Sequence, residues 1–388
     1  CQEQAGWLDD FALFMALKES HDLRPWEDWE PEIATRQPEA LAQVRQSMAV
    51  EIQEQQYRQW RFFVQWLALK AYANDAGIRL IGDIPIFVAQ DSADVWAQPH
   101  LWHFDEDLVQ TVQSGVPPDY FSETGQLWGH PLYRWDVMAE EGYAWWIDRF
   151  RMALTQSDVV RIDHFRGFYN YWEVPAGEKT AVRGRWLLGP GADLFRTVTA
   201  ALGKMSIIAE DLGDFDHESR TGVDALQEEF GYPGMKVIQF AFSSGPGDPF
   251  LPHNFSREWV AYTGTHDNDT AVGWYETTST KNERDYARKY LGSDGADIAW
   301  DLIRLAWASV ANTAVAPVQD LLSLGHHARM NTPSTLGPPN WCWRLRAGAL
   351  TPDLADRLLE LTAIYGRLPE DWKPASDSDE EEESTDTI

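Results

Sequence analysis

Cysteine is nearly absent from this chain. Its 388 residues include two, Cys1 and Cys342, too few for a disulfide framework and in keeping with a reducing compartment. Basic residues are scarce as well, 32 Lys and Arg against 61 Asp and Glu, for a net charge of −29. Binding phosphates requires a basic patch, so this balance argues against nucleic acid and against an anionic membrane surface as partners. No stretch reaches the roughly 18 uninterrupted apolar residues of a membrane span, and no charged-then-apolar signal segment opens the chain. The absences together lead to the expectation of a soluble, acidic, cytoplasmic protein.

Tryptophan, by contrast, is abundant: there are 20, within an aromatic content of 13%. An indole face suits stacking on sugar rings as well as core packing, and core packing is the commoner use. A chain that is 44% apolar and 24% charged is globular in composition. Its length allows one large domain or two ordinary ones. It starts at Cys1 without Met, which reads as a fragment or a processed product.

The first 76 residues read as helical. Trp7, Leu8, Phe11, Phe14 and Leu17 recur at near-helical spacing, as do Tyr57, Trp60, Val64, Leu67 and Ala71. Gly77 stands where a C-cap glycine belongs. Beyond it, short apolar runs repeatedly reach a polar terminus. They run Ile78 to Asp83, Val159 to Asp163, Met205 to Glu210, Met235 to Phe240, Val260 to Asp267 and Thr313 to Asp320. Helix-like stretches such as Gly191 to Leu202 and Ala296 to Val310 separate them. This alternation is the signature of a parallel α/β sheet, and carboxylates at C-terminal strand ends suit a (β/α)₈ barrel. Only six strands can be counted where a closed barrel needs eight. The expected fold is therefore a TIM-type barrel with helical insertions, lacking the first two strands. Residues 1–76 form a helical insertion region, 77–372 carry strands three to eight with an inserted loop region at 85–158, and 373–388 form an acidic tail. Ser376 to Ile388 holds seven carboxylates and no basic or aromatic residue, a composition that predicts disorder.

Asp163, Glu210 and Asp267 each close a strand. Singly, a strand-end acid can simply cap the next helix. On separate strands of one sheet, three of them form a converging set suited to glycoside chemistry. One carboxylate attacks the anomeric carbon, one carboxylic acid protonates the leaving oxygen, and a third holds hydroxyls in the transition state. Residues two apart on a strand face the same way, so Arg161 should lie beside Asp163 and keep it ionised, as a nucleophile needs. A structural ion pair explains that spacing equally well. His266, next to Asp267, is placed to donate to a sugar hydroxyl.

Four segments then resemble conserved regions of the amylomaltases, the 4-α-glucanotransferases related to plant disproportionating enzyme and to the α-amylase superfamily. They are Gly82 to Val88, Arg161 to Gly167, Ala209 to Gly213 and Thr265 to Asn268. Gly115 to Ser122 and Gly125 to Gly129 resemble that family's aromatic lid loop, and Ala328 to Asn331 its late acceptor-side loop. The likeness runs from Trp7 to about Arg344.

The resemblance implies a nucleophile in Asp163, a general acid/base in Glu210 and a transition-state stabiliser in Asp267. It implies help from Arg161 and His266 at the cleaved sugar, Asp83 near its outer hydroxyls, and a stacking platform of Tyr120, Phe121 and Trp128. Asp119, Gln126 and Asn331 fall in the same motifs as substrate contacts. The implied activity is retaining transfer of α-1,4-glucan segments to the 4-hydroxyl of glucose or a maltooligosaccharide. The expected partners are α-1,4-glucans and maltooligosaccharides, with no cofactor, no metal and no obligate protein partner. Two departures stand out. Family members carry a region before this one that holds the first two barrel strands. Ser334 and Pro339 also stand where glycine is usual. Two alternatives remain: a truncated, non-catalytic α-glucan binder, and a hydrolase on the same fold.

Overall fold

The computed structural model describes residues 4–118, 122–370 and 372, so the acidic tail lies outside the described residues. The chain divides into two compact units, residues 1–235 and 236–388.

The first unit opens with helices, as the spacing predicts. The main ones span Ala5–Ser20, Pro38–Ser47 and Ala49–Asp75. The last is stopped by Gly77, whose φ of +75° costs a glycine little. The Ile78 N–H then donates back to the Ala73 carbonyl at 2.8 Å, closing the helix end. This long helix is held from one side. Trp66 Nε1 donates to the Gln156 carbonyl at 2.7 Å, and Lys70 pairs with Asp158 at 3.3 Å. Its apolar stripe of Tyr57, Trp60, Val64 and Leu67 is exposed, Trp60 to 47% and Leu67 to 40%. A face that helical spacing marks as apolar is thus left uncovered.

Among the described residues ten strands follow in chain order: β1 Ile81–Pro85, β2 Val112–Val116, β3 Gln126–Pro131, β4 Val159–Asp163, β5 Asn170–Pro175, β6 Arg185–Leu188, β7 Ile207–Ala209, β8 Gly234–Val237, β9 Trp259–Tyr262 and β10 Thr313–Val315. Each of the six apolar runs read from the sequence overlaps one strand: Val159 to Asp163 coincides with β4, and the other five differ at one or both ends. β1 begins at Ile81 because the Ile78 carbonyl and Leu80 N–H are taken by the side chains of Asn74 and Asp158. β8 stops at Val237, where Ile238–Phe240 coils into a 3₁₀ turn. In the first unit a sheet runs β1-β4-β7, parallel at both joints. A further sheet is ordered β10-β9-β8, with β9 and β10 parallel.

A four-stranded antiparallel sheet, β3-β2-β5-β6, has no counterpart in the sequence reading. Its strands come from the stretch read as inserted loop and from residues 170–188. The register of β2 against β3 shifts between Gln113 and Gly115, which breaks the alternation that marks a strand.

Behind β4 the first unit is packed with aromatic rings. Trp146, Phe150, Phe165, Phe168 and Phe195 are fully buried, with Phe168 and Phe195 centroids 5.0 Å apart and Phe165 and Phe195 5.4 Å apart. Phe165 and Phe168 belong to the 3₁₀ turn Phe165–Phe168, directly after the strand end. Their burial fixes the residues at that end far more firmly than a loop would be fixed. The second unit has its own core of Ile238, Phe242, Trp274, Ile298 and Leu302, among others.

Candidate active site

The chemistry of the first unit is assembled by strand register. Parallel pairing sets Asp83 opposite Arg161 and Pro85 opposite Asp163. Side chains two apart on β4 share a face, so Arg161 reaches both acids. Its Nη1 donates to Asp83 Oδ1 and Oδ2 at 2.8 and 2.7 Å, and its Nη2 donates to Asp163 Oδ1 at 2.9 Å. Nε lies 3.3 Å from the Met235 thioether. The guanidinium is buried while both carboxylates are about 40% exposed, 42% for Asp83 and 44% for Asp163. Burial works against the charge of Arg161, but Asp83 and Asp163 outweigh it and hold the guanidinium protonated. The outcome is a fixed cation whose two anionic partners open to solvent.

Glu210 follows β7 and is tied to the same strand end. Its N–H donates to the Ile162 carbonyl at 3.0 Å, and its own carbonyl accepts from the Phe165 N–H at 3.0 Å. Each carboxyl oxygen is aimed by a backbone donor: His164 N–H to Oε2 at 2.7 Å and Leu212 N–H to Oε1 at 2.8 Å. Burial first, and then the charge of Asp163, push the Glu210 carboxyl well above the usual carboxylate range. Arg161 and the two N–H groups pull the other way and lose. An exposed acid held by a cation beside a second acid that retains its proton is the division of labour a glycosidic bond requires.

His164, between the two, was not singled out by sequence. It adopts φ +54°, and this left-handed turn points its N–H at Glu210. The ring lies edge-on to Trp128, centroids 4.8 Å apart. Its Nε2 is buried with no hydrogen-bond partner among the described residues. Burial lowers its pKa to about 4, so the ring is neutral at physiological pH. His164→Gly and His164→Ala remove the same imidazole, but only glycine takes this turn without strain. The alanine variant should be less stable than the glycine variant by about 1 kcal/mol in urea unfolding. Equal stabilities would show that the turn is not under conformational demand.

Trp128 and Gln126 lie on β3, where Trp128 Nε1 donates to Gln126 Oε1 at 3.4 Å. Asp119, Tyr120 and Phe121 lie outside the described residues. Other motif members are structural. Arg166 is buried, donating to Asn170, the Asp214 carbonyl and Ser219 and lying over the Trp186 ring at 3.9 Å. Asp211 is buried and accepts from Arg220 and from the Met235 N–H.

The second unit holds the remaining residues in a cluster of its own. Asn331 Nδ2 donates to Asp267 Oδ1 at 2.7 Å, and its N–H donates to the His266 carbonyl at 3.1 Å. His266 Nε2 sits 3.4 Å from Asp267 Oδ2, and Arg329 Nη2 donates to the Asp267 carbonyl at 2.7 Å. Asn331 therefore acts first as a positioner of Asp267. Trp341, exposed and 5.1 Å from the His266 ring, extends this cluster, and the sequence reading passed over it. Ser334 takes φ +63°, the conformation its usual glycine adopts at no cost.

A family model described as 4-alpha-glucanotransferase, glycoside hydrolase family 77, matches residues 1–351. The chain belongs to the 4-α-glucanotransferase family. A curated 4-alpha-glucanotransferase from Thermus thermophilus is 50% identical over 377 residues, which span 95% of this chain and 74% of that relative. One from Synechocystis sp. is 48% identical over 373 residues, spanning 95% of this chain and 72% of the relative. The solved structure of amylomaltase from Streptococcus agalactiae in complex with acarbose superposes with a TM-score of 0.90. It is 40% identical, over 95% of this chain and 74% of that one. The fold is thus the α/β fold of the amylomaltases, and the protein is an enzyme of the 4-α-glucanotransferase class. These likenesses favour neither the binder nor the hydrolase.

Proposed function

We propose that this 4-α-glucanotransferase works on α-1,4-glucans and maltooligosaccharides by a retaining double displacement. The observation that carries the reading is the pairing of Asp163, open and held by Arg161, with Glu210, which retains its proton. Asp163 attacks C1 of the glucan, breaking the bond to the glycosidic oxygen, while Glu210 gives its proton to that oxygen. The covalent glycosyl-enzyme is then attacked by the 4-hydroxyl of a second sugar. Glu210, now ionised, takes the hydroxyl proton, and Asp163 departs as carboxylate. Retention by this route needs the two carboxyl groups about 5–5.5 Å apart.

The other roles follow the family motifs. Asp267 stabilises the transition state, Asp83, Arg161 and His266 bind the cleaved sugar, and Trp128 with Tyr120 and Phe121 stacks on the glucan. Asp119, Gln126 and Asn331 complete the substrate contacts, Asn331 through its hold on Asp267. Architecturally, we take the six strands as strands three to eight of a (β/α)₈ barrel within residues 77–372, with 1–76 as a helical insertion. Low cysteine content fits the cytoplasm, and starch or glycogen are the storage glucans such an activity would remodel.

Incubation with maltotriose, followed by chromatography, tests the reading. A ladder of longer maltooligosaccharides together with glucose is the expected result. Glucose and maltose alone would mark a hydrolase, and binding without any product would mark a binder.

A further inference from the structure

We propose that His326 is a positioning residue for glucan transfer: through its contact with Asp269 it holds the turn that carries Asp267. The inference rests on the role of Asp267 proposed above and concerns what fixes that carboxylate in place.

The turn is short and closed on itself. The Thr265 N–H and hydroxyl both donate to Asn268 Oδ1 at 2.9 Å, so residues 265–268 form one stiff piece with Asp267 inside it. Stiffness within the turn does not set its orientation; bonds from outside must do that. They come from a single stretch, residues 326–331. At its far end Arg329 and Asn331 hold Asp267, by the carbonyl and by Oδ1. At its near end His326 Nδ1 donates to Asp269 Oδ2 at 2.7 Å. Between them Ala328 is fully buried, and its carbonyl accepts from Gln319 Nε2 at 3.3 Å. A stretch pinned in the middle and bonded at both ends acts as a strut across the turn.

Asp269 is what gives the His326 contact its weight. The Asp269 side chain is 2% exposed, while that of His326 is 55% exposed. Oδ1 accepts from the Thr270 N–H at 2.8 Å. Apart from His326, the nearest donor to Oδ2 is the Thr277 hydroxyl at 3.5 Å, too far for a firm hydrogen bond. The carboxylate has little room to turn toward another donor, since a Cβ at Gly273 would fall 2.2 Å from Oδ1. A buried carboxylate that loses its donor is costly, so the side chain and the turn before it must shift. Gln239 Nε2 holds the Asp269 carbonyl at 2.9 Å, which limits that shift to a small displacement of Asp267. Small displacements of a catalytic group still cost rate. Because Asp267 acts as charge develops on the sugar, the loss should fall on kcat and spare KM.

His326→Ala changes an exposed side chain and should fold. Its kcat for maltotriose disproportionation should drop about tenfold, with KM moving by less than about twofold. His326→Asn offers an amide nitrogen in place of Nδ1 and should recover kcat to within about threefold of the parent. His327→Ala, at the exposed neighbouring position, should change neither constant. Amides from Thr265 to Asp269 should exchange roughly threefold faster or more in His326→Ala. Asp267→Asn, assayed with a glucosyl fluoride to keep turnover measurable, completes a double-mutant cycle. Adding His326→Ala to it should cost nothing further, because the positioned group is already gone, whereas a general loosening of the fold would multiply the two losses. Parental kcat in His326→Ala, equal losses in the alanine and asparagine variants, unchanged exchange, or losses that multiply would each overturn the inference alone. Full activity in Asp267→Asn would overturn the role of Asp267 and this inference with it.

Discussion

Asp163→Asn should abolish glucan transfer, with kcat/KM for maltotriose disproportionation falling on the order of 10⁴-fold, about 5 kcal/mol of transition-state stabilisation. Asparagine keeps the shape and the hydrogen bond from Arg161 but has no carboxylate with which to attack. The fold should be indifferent. Arg161 keeps its double hydrogen bond to Asp83, so its buried charge is not stranded. The exposed Asp163 side chain fills no cavity. Calorimetric binding of maltooligosaccharide should therefore persist while products vanish, and the melting temperature should shift by no more than a few degrees. A second consequence separates a nucleophile from a merely nearby acid. The charge of Asp163 is one cause of the raised Glu210 pKa. Removing it should bring the Glu210 titration down toward the ordinary range, visible in carboxyl NMR. An Asp163→Asn enzyme that retains a tenth of its transfer activity would end the double-displacement scheme.

What could be read in the sequence was the part written in chemistry-bearing residues at strand ends. Asp163 and Glu210 were legible because an apolar run ending in an acid is rare without reason, and Arg161 because strand periodicity is two. The same rule brings decoys with it. Asp320 also closes a strand-like run, yet it is wholly buried and serves the fold, accepting from the Thr263 hydroxyl and the Ala271 N–H at 2.7 Å each. Asp211, adjacent to Glu210, does likewise with Arg220 and Met235. Only partners distinguish these acids from the reactive ones, and partners lie far away in sequence. His164 escaped for a different reason. Its contribution is a backbone N–H placed by a left-handed φ, and a histidine gives little warning of that. The antiparallel sheet was hidden by its bulge, and the exposure of the Tyr57 stripe by a spacing that reports a helix and not what covers it. There the spacing gave the helix correctly, and the environment decided the rest.

Glu210→Gln should separate the two half-reactions that a single group serves. The carbonyl oxygen of a glutamine accepts from one of the two backbone N–H groups while its NH2 faces the other, so positioning is only partly kept. The proton is lost. With maltotriose, whose leaving oxygen must be protonated, kcat should fall about 10²–10⁴-fold, the usual range for general acid catalysis. A glucosyl fluoride needs no such proton to leave, so formation of the glycosyl-enzyme from it should be nearly normal, and a burst should precede slow transfer. The pH dependence carries the sign. The acid form is the active one, and its pKa is raised by burial and by Asp163. Transfer should thus persist to higher pH than an ordinary glutamic acid, at about 4.3, permits, and fall on the basic side as Glu210 ionises. Stability should move with it. Between the ordinary pKa and the raised one, the unfolded chain has released this proton while the native state retains it. Native stability therefore declines with rising pH across that window, by up to about 1.4 kcal/mol per unit, and levels off above it. Glu210→Gln removes the decline, so the variant should be the more stable protein at alkaline pH and no more stable than the parent in acid. Parallel unfolding curves at all pH values would mean that Glu210 titrates as an ordinary carboxylate. The proton required for catalysis would then have to come from elsewhere.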